Sequence, residues 1–276
     1  MVDCHVHMVL DGVDWRSAIA RHEAGVDRKF VRDTLALWRE KGYTYLRDGG
    51  DRWGVGKCAR ELAPEYGITY RTPLAPLSKT GHYGGFIGLQ FDDLGQYARL
   101  VEQQGRQGAD FVKIMISGLM DFDRYGVLTQ PGLDPAEIRR MIEIAHDMGF
   151  SVMAHANGAR TVETAAAAGV DSVEHGAYPD ADALAAMVDM GTVWVPTLST
   201  VGNLRGKGRF SQYDVEKILD ANMENVARFY EMGGLVACGT DAGAWAVQHG
   251  CASEEALLSQ CGADPEKGNA RIMERF

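Results

Sequence analysis

Eight short apolar runs, each followed by a segment of helical spacing, predict an α/β fold of the (β/α)8 TIM-barrel type. No GxGxxG follows the first run, which argues against the runner-up, an open doubly wound sheet. No linker or shift in composition divides the 276 residues, a length that suits one closed barrel. A single domain over residues 1–276 is therefore expected.

The first strand is read at Val2 to Val6, where apolar and polar side chains alternate, and a helix follows near Arg32 to Lys41. A second strand at Thr44 to Arg47 precedes a helix over Gly56 to Glu65. The third, Thr69 to Leu74, leads through a Gly-rich loop to a helix over Leu94 to Gln104, and the fourth is Phe111 to Ile116. The next helix is the best signalled. Asp134 stands where an N-cap belongs, Pro135 opens the first turn, and Ile138, Met141, Ile142 and Ala145 form an apolar stripe that stops at Gly149. Strands at Ser151 to Ala154, Asp171 to Glu174, Val193 to Pro196 and Leu235 to Gly239 complete the eight. Helices over Arg160 to Ala168, Asp182 to Asp189 and Asp214 to Glu231 separate them, and a last one lies near Ser253 to Gln260.

Composition removes several functions. Twenty-eight basic residues stand against 38 acidic ones, a formal net charge of −10, with no basic run to neutralise a row of phosphates, so no nucleic-acid partner is expected. The longest apolar stretches are strand-sized, far below the roughly 20 residues of a membrane span. The N-terminus MVDCHVH lacks a signal-peptide profile, and five cysteines without a CxxC pair suit reduced thiols. A cytoplasmic protein acting on a small molecule, with no membrane partner, is expected.

Chemistry concentrates at strand ends. Asp3, His5 and His7 alternate with Cys4, Val6 and Met8, so a strand turns all three polar side chains to one face, the interior in a barrel. Two imidazoles two residues apart can chelate one divalent ion. His155 ends the fifth strand in VMAHANG, His175 the sixth in SVEHG, and Asp241 the eighth in ACGTDAG. Active sites of such barrels lie where the strand C-termini meet, so these groups should converge. Four imidazoles and a carboxylate suit zinc, with iron, manganese or cobalt as alternatives. Lys113 lies in the apolar run FVKIMISG, where a buried ammonium is costly without a partner.

This combination resembles the amidohydrolase superfamily: HxH in the first strand, a lysine in the fourth, histidines in the fifth and sixth and an aspartate after the eighth. The strings GADFVKIMISG, VMAHANGARTVETAAAAGVDSVEHG, WVPTLS and CGTDAGA resemble its imidazolonepropionase-like and prolidase-like branch, from Asp3 to Ala244. The resemblance implies a centre of two divalent ions: His5, His7 and Asp241 hold one, and His155 and His175 the other. Lys113, carbamylated by carbon dioxide, bridges them. A bridging hydroxide would attack an amide carbonyl, with Asp241 as general base, in a dipeptide, N-acyl amino acid or cyclic amide. Many such relatives carry a small β-sandwich. Here Met1 directly precedes the first strand and about 35 residues follow Asp241, so a bare barrel without the accessory β-sandwich is expected, which leaves a homo-oligomer open.

Loops should set specificity. In SKTGHYGGFIG, His82 resembles a histidine beside the substrate carbonyl, and Tyr83 lies next to it. Asp123, Arg124 and Tyr125 after the fourth strand, and Asn203, Arg205, Lys207 and Arg209 after the seventh, could meet a carboxylate. Asn157, Trp245 and His249 fall at the expected mouth. No GxSxG elbow supports a serine hydrolase. The alternatives are a one-metal deaminase of the same superfamily with Lys113 unmodified, and a non-catalytic metal-binding barrel.

Overall fold

The computed structural model describes residues 1–276. The chain begins β1 (Val2–Val6), α1 (Trp15–Ala20), α2 (Arg28–Glu40), β2 (Tyr45–Asp48) and α3 (Val55–Leu62), which runs into a 3-10 turn at Ala63–Tyr66. Three short strands follow, β3 (Thr69–Arg71), β4 (Leu77–Lys79) and β5 (Leu89–Phe91), then α4 (Leu94–Arg106), β6 (Val112–Met115) and α5 (Pro135–Asp147). Next come β7 (Val152–Ala156), α6 (Ala159–Ala167), β8 (Ser172–His175), α7 (Ala181–Met190), β9 (Val193–Val195) and α8 (Ser199–Gly202). The last elements are α9 (Gln212–Glu231), β10 (Leu235–Val236), α10 (Ser253–Gln260) and α11 (Glu266–Arg275).

The ladder pairings between these strands are parallel. One run is β1-β2-β3, and the other is β10-β9-β8-β7-β6-β4-β5. Backbone contacts join the two runs into a ring. On one side Cys4 N donates to Cys238 O at 2.8 Å, Asp241 N to His5 O at 2.7 Å and His7 N to Ala242 O at 2.7 Å, so β1 closes against the chain leaving β10. Asp3 reinforces this seam by accepting from Thr240 N at 3.0 Å and Thr240 Oγ1 at 2.6 Å. On the other side one barrel strand is split: β3 pairs with β2, and β4 pairs with β6.

The split corrects the expected third strand, which stops at Arg71 instead of continuing to Leu74. Pro73 and Pro76 remove two ladder donors and Leu74 takes φ +67°, so the chain bends and resumes pairing at Leu77. Helix α2 starts before the expected Arg32 because Asp27 caps it, accepting from Phe30 N at 3.0 Å. Helix α5 matches its sequence pattern: Asp134 caps it and its apolar stripe is buried. No helix is long and apolar enough to cross a membrane.

The largest apolar cluster packs β6 to β9 against α4 to α9, and a second packs β1 to β3 against α1 to α3. A third, including Tyr45, Phe111, Met153, Val193, Ile272 and Phe276, lies where α11 meets the N-terminal halves of the strands. The C-terminal strand ends, away from α11, are left to form a cavity. Because Asp3 ties the β1 seam, Asp3→Ala should strand two donors of Thr240 and lower stability by about 2 kcal/mol or more. A urea unfolding midpoint equal to that of the unsubstituted protein would contradict this.

Candidate metal centre

All six residues expected to hold metal, His5, His7, Lys113, His155, His175 and Asp241, line one cavity of about 690 Å³. His5 Nε2 and His7 Nε2 lie 3.3 Å apart, and Asp241 Oδ1 is 3.5 Å and 3.2 Å from them. Ligands at zinc distances of about 2.0–2.1 Å in tetrahedral array stand roughly 3.3 Å from one another, so this triangle fits one face of such a site. His175 joins the group, with ligand atoms of His5, His175 and Asp241 all within 4.8 Å of each other. His7 Nδ1, Asp241 Oδ1 and Lys113 Nζ are buried without hydrogen-bond partners. Of these, the orphaned Asp241 Oδ1, beside the Nε2 atoms of His5 and His7, is an acceptor that a bound cation would satisfy, whereas the Lys113 ammonium, itself a donor, is relieved only by losing its charge.

Three imidazoles are locked from behind. His5 Nδ1 lies 2.7 Å from Glu174 Oε2, and His155 Nε2 lies 3.1 Å from Gly118 O. A carboxylate and a carbonyl only accept, so those ring nitrogens donate, which leaves His5 Nε2 and His155 Nδ1 with free lone pairs. His175 Nδ1 is 2.7 Å from Thr197 Oγ1, an arrangement that leaves Nε2 toward the cavity. Burial pushes His5 down to about 4 and His155 to about 3, with the Lys113 charge acting in the same direction, and lowers His175 as well. All three are thus neutral near pH 7, the form that binds metal. Such a backing hydrogen bond is the usual device for orienting a metal-binding histidine.

The backbone is shaped for this convergence. Along β8 alternation turns Ser172 and Glu174 into the barrel, which would send His175 outward. His175 instead adopts φ +64°, breaking the alternation, and Trp194 Nε1 donates to its carbonyl at 2.9 Å. Asp241 has φ +59° and Thr197 has φ +49°. For a β-branched residue such as Thr197 this conformation is an outlier, and each such position stores about 1–3 kcal/mol of strain. All three face the same cluster. At Gly49 there is no side chain because a Cβ would overlap the His7 ring.

Lys113 on β6 is 1% exposed, and burial pushes its amine down to about 8. For the Asp241 carboxyl, burial acts upward, but His5, His7 and Lys113 outweigh it and hold the group below its ordinary range.

The loop residues divide. Tyr83, Asn157 and Trp245 line the cavity, and the Tyr83 ring lies 4.8 Å from that of His155. His82 is not on the wall; its N–H donates to Lys79 O in a turn. Arg124 pairs with Asp121, which does line the cavity, Tyr125 packs edge-on to Tyr178, and Arg205 lies 3.8 Å from Glu216; none of these three is itself on the wall. From the basic loop it is Arg209 that reaches the cavity, stacked over Trp245 at 4.5 Å. His249 points away, its Nε2 2.9 Å from Leu10 O. Sequence reading missed Glu174, Thr197 and Arg16, the last lining the cavity over Trp15. The Ser172, Glu174 alternation was an available signal for Glu174, whereas Thr197 and Arg16 carry none.

A family profile described as the amidohydrolase family matches residues 1–269. An uncharacterized protein of Mycobacterium tuberculosis is 30% identical over 274 residues, covering 95% of this chain and 68% of that protein. Ochratoxinase of Aspergillus niger is 26% identical over 276 residues, covering 87% of this chain and 56% of that protein. Among solved structures, a Xaa-Pro dipeptidase with bound methionine in its active site superposes with a TM-score of 0.78 at 22% identity, over 99% of this chain and 72% of that one. The A. niger ochratoxinase structure gives 0.79 at 22%, over 98% and 68%. These superpositions show a shared fold.

Gly49→Ala should push the His7 ring out of the triangle and weaken zinc binding by about tenfold or more, the scale of a disturbed ligand orientation. Chelator competition checks this beside a far-UV spectrum; unchanged affinity in a folded variant would contradict it.

Proposed function

The chain belongs to the amidohydrolase family and is a hydrolytic enzyme, and on that premise we propose that it cleaves the amide C–N bond of a small substrate with two divalent ions. The observation that carries this reading is the convergence of all six polar side chains on one cavity, three of the four imidazoles locked from behind. In this reading His5, His7 and Asp241 would hold one ion, His155 and His175 the other, and Lys113, once carbamylated, would offer oxygen donors to both. Zinc suits the nitrogen and oxygen donors, with manganese, iron or cobalt as alternatives.

Lys113 acts once its amine is neutral. The ammonium gives up one proton, the neutral nitrogen adds to the carbon of carbon dioxide as one C–O π bond opens, and a second proton leaves the nitrogen, so that a buried cation becomes an anion with two oxygen donors. A modified Lys113 no longer carries an unpartnered ammonium among metal-binding imidazoles. Bound divalent ions supply Lewis acidity and bring the pKa of water down towards about 7. Asp241, held ionised by its neighbours, takes the proton of the attacking water and delivers it to the departing amine nitrogen.

The substrate reading follows the walls. Leu10, Phe86, Leu119, Phe122 and Phe210 offer apolar surface, and Arg209 and Arg16 stand among it as cations. A dipeptide, N-acyl amino acid or cyclic amide fits this mixture, and a Xaa-Pro dipeptidase among similar structures supports a peptide-type bond. In this reading Tyr83 takes the position beside the reacting carbonyl that the sequence assigned to His82, while Asn157 and Trp245 shape the pocket. Arg209 replaces Arg205 as the carboxylate contact.

A screen of dipeptides, N-acyl amino acids and lactams with zinc and bicarbonate tests the reaction. Lys113→Ala should lose about 100-fold or more in turnover and part of its metal, and Asp241→Asn should keep some metal while losing about 10²–10⁴-fold. Full activity in Lys113→Ala would rule out the bridging role. The sign with pH follows from the amine: below about 8 the neutral fraction of Lys113 falls about tenfold per unit. Activation of metal-free enzyme by bicarbonate and zinc should therefore slow as pH drops from 8 to 6; a rate independent of pH would contradict carbamylation.

A further inference from the structure

Beneath the candidate centre, the Glu174 that backs His5 is itself held by a buried chain of polar contacts. Arg47 on β2 is fully buried. Its Nε donates to Cys4 O at 2.7 Å, Nη1 to Ser172 Oγ at 2.9 Å and Nη2 to Glu174 Oε1 at 2.8 Å. Its guanidinium sits 4.5 Å from the centre of the Phe276 ring. Glu174 Oε1 also accepts from Ser172 Oγ at 2.6 Å, and Oε2 faces His5 Nδ1 at 2.7 Å. Glu174 Oε1 is thus taken by Arg47 and Ser172, and Oε2 by His5.

We propose that Arg47 and Glu174 are positioning residues that fix the tautomer of His5, so that Nε2 carries its lone pair toward the cavity. The inference rests on the reading that His5 helps hold a divalent ion. Its logic is the donor and acceptor count. Arg47 has no acceptor and stays protonated, so it always demands an acceptor atom at its end of Glu174. A carboxylate meets that demand and still offers His5 a second acceptor. A glutamine of the same shape cannot: its one oxygen goes to Arg47, and its NH₂ then faces His5 Nδ1. His5 would answer by accepting at Nδ1 and placing its proton on Nε2, where the ion should bind. The partner of Glu174 thereby decides which way an amide would turn, a role distinct from filling space.

The test is zinc affinity of the full chain, measured by chelator competition beside metal per chain and thermal melting. Glu174→Gln should bind zinc about 10–100-fold more weakly than the unsubstituted protein. Adding Arg47→Met frees the amide oxygen to turn to His5, so the double variant should bind zinc several-fold more tightly than Glu174→Gln alone. A merely structural ion pair would lower the melting temperature, leave zinc affinity in place and make the double variant the worst of the three. Unchanged affinity in Glu174→Gln, or a double variant no tighter than the single, overturns the proposal. If Glu174→Gln does not fold, ¹⁵N spectra of histidine-labelled, metal-free unsubstituted protein decide: a proton on His5 Nδ1 is expected, and a proton on Nε2 overturns it. Should the unsubstituted protein bind no zinc at all while His5 carries its proton on Nδ1, the metal reading fails and the tautomer assignment stands.

Discussion

A buried imidazole can aim a lone pair at a fixed point only if its other nitrogen is tied to something that accepts. The rest of this site depends on that constraint. Partners come from three places: Glu174 on β8 for His5 and the Gly118 carbonyl after β6 for His155, which only accept, and the Thr197 hydroxyl after β9 for His175, which can accept or donate. None lies on the same strand as the histidine it holds. Only a ring of parallel strands, each ending at the same level, brings ligand and backing group together from opposite directions. The seam at Asp3 and the split strand of β3 and β4 matter to the chemistry for this reason: they keep the strand ends in one circle.

Charge follows from the same burial. Arg47, Lys113, Glu174 and Asp241 all sit in the barrel interior, where an unpaired charge costs several kcal/mol. Glu174 is answered by Arg47 and stays ionised. Lys113 has no such answer, and its amine is pushed down accordingly. Carbamylation would change that group from +1 to −1, which suits a pocket of neutral imidazoles and one carboxylate only if cations enter it. The strain held at His175, Thr197 and Asp241, three of the six non-glycine residues with left-handed backbone, belongs to the same arrangement, since these three stand at or beyond strand ends around the cavity.

Much of this was legible in the sequence, for reasons that are local. The β1 boundaries and the α10 boundaries match those read from alternation and helical spacing, and α5 announces itself through Asp134, Pro135 and its stripe. Metal-binding residue types at strand ends were legible because the barrel fixes where strand ends go. What failed was tertiary. β4 and β5 are three residues each and exist only by pairing, between prolines and glycines that read as loop. No local signal separates Arg209, which packs on Trp245, from Arg205, which turns to Glu216, or places Tyr83 rather than His82 on the cavity wall. Of the backing residues, Glu174 could be read as inward-facing from its alternation with Ser172, whereas Thr197 was hidden because its contact is with another strand.

The most direct measurement is divalent metal per chain in protein loaded with zinc in the presence of bicarbonate. Two ions per chain, with the second lost when carbon dioxide and bicarbonate are removed, is the result the account predicts. One ion per chain whatever the bicarbonate, or none, would contradict it.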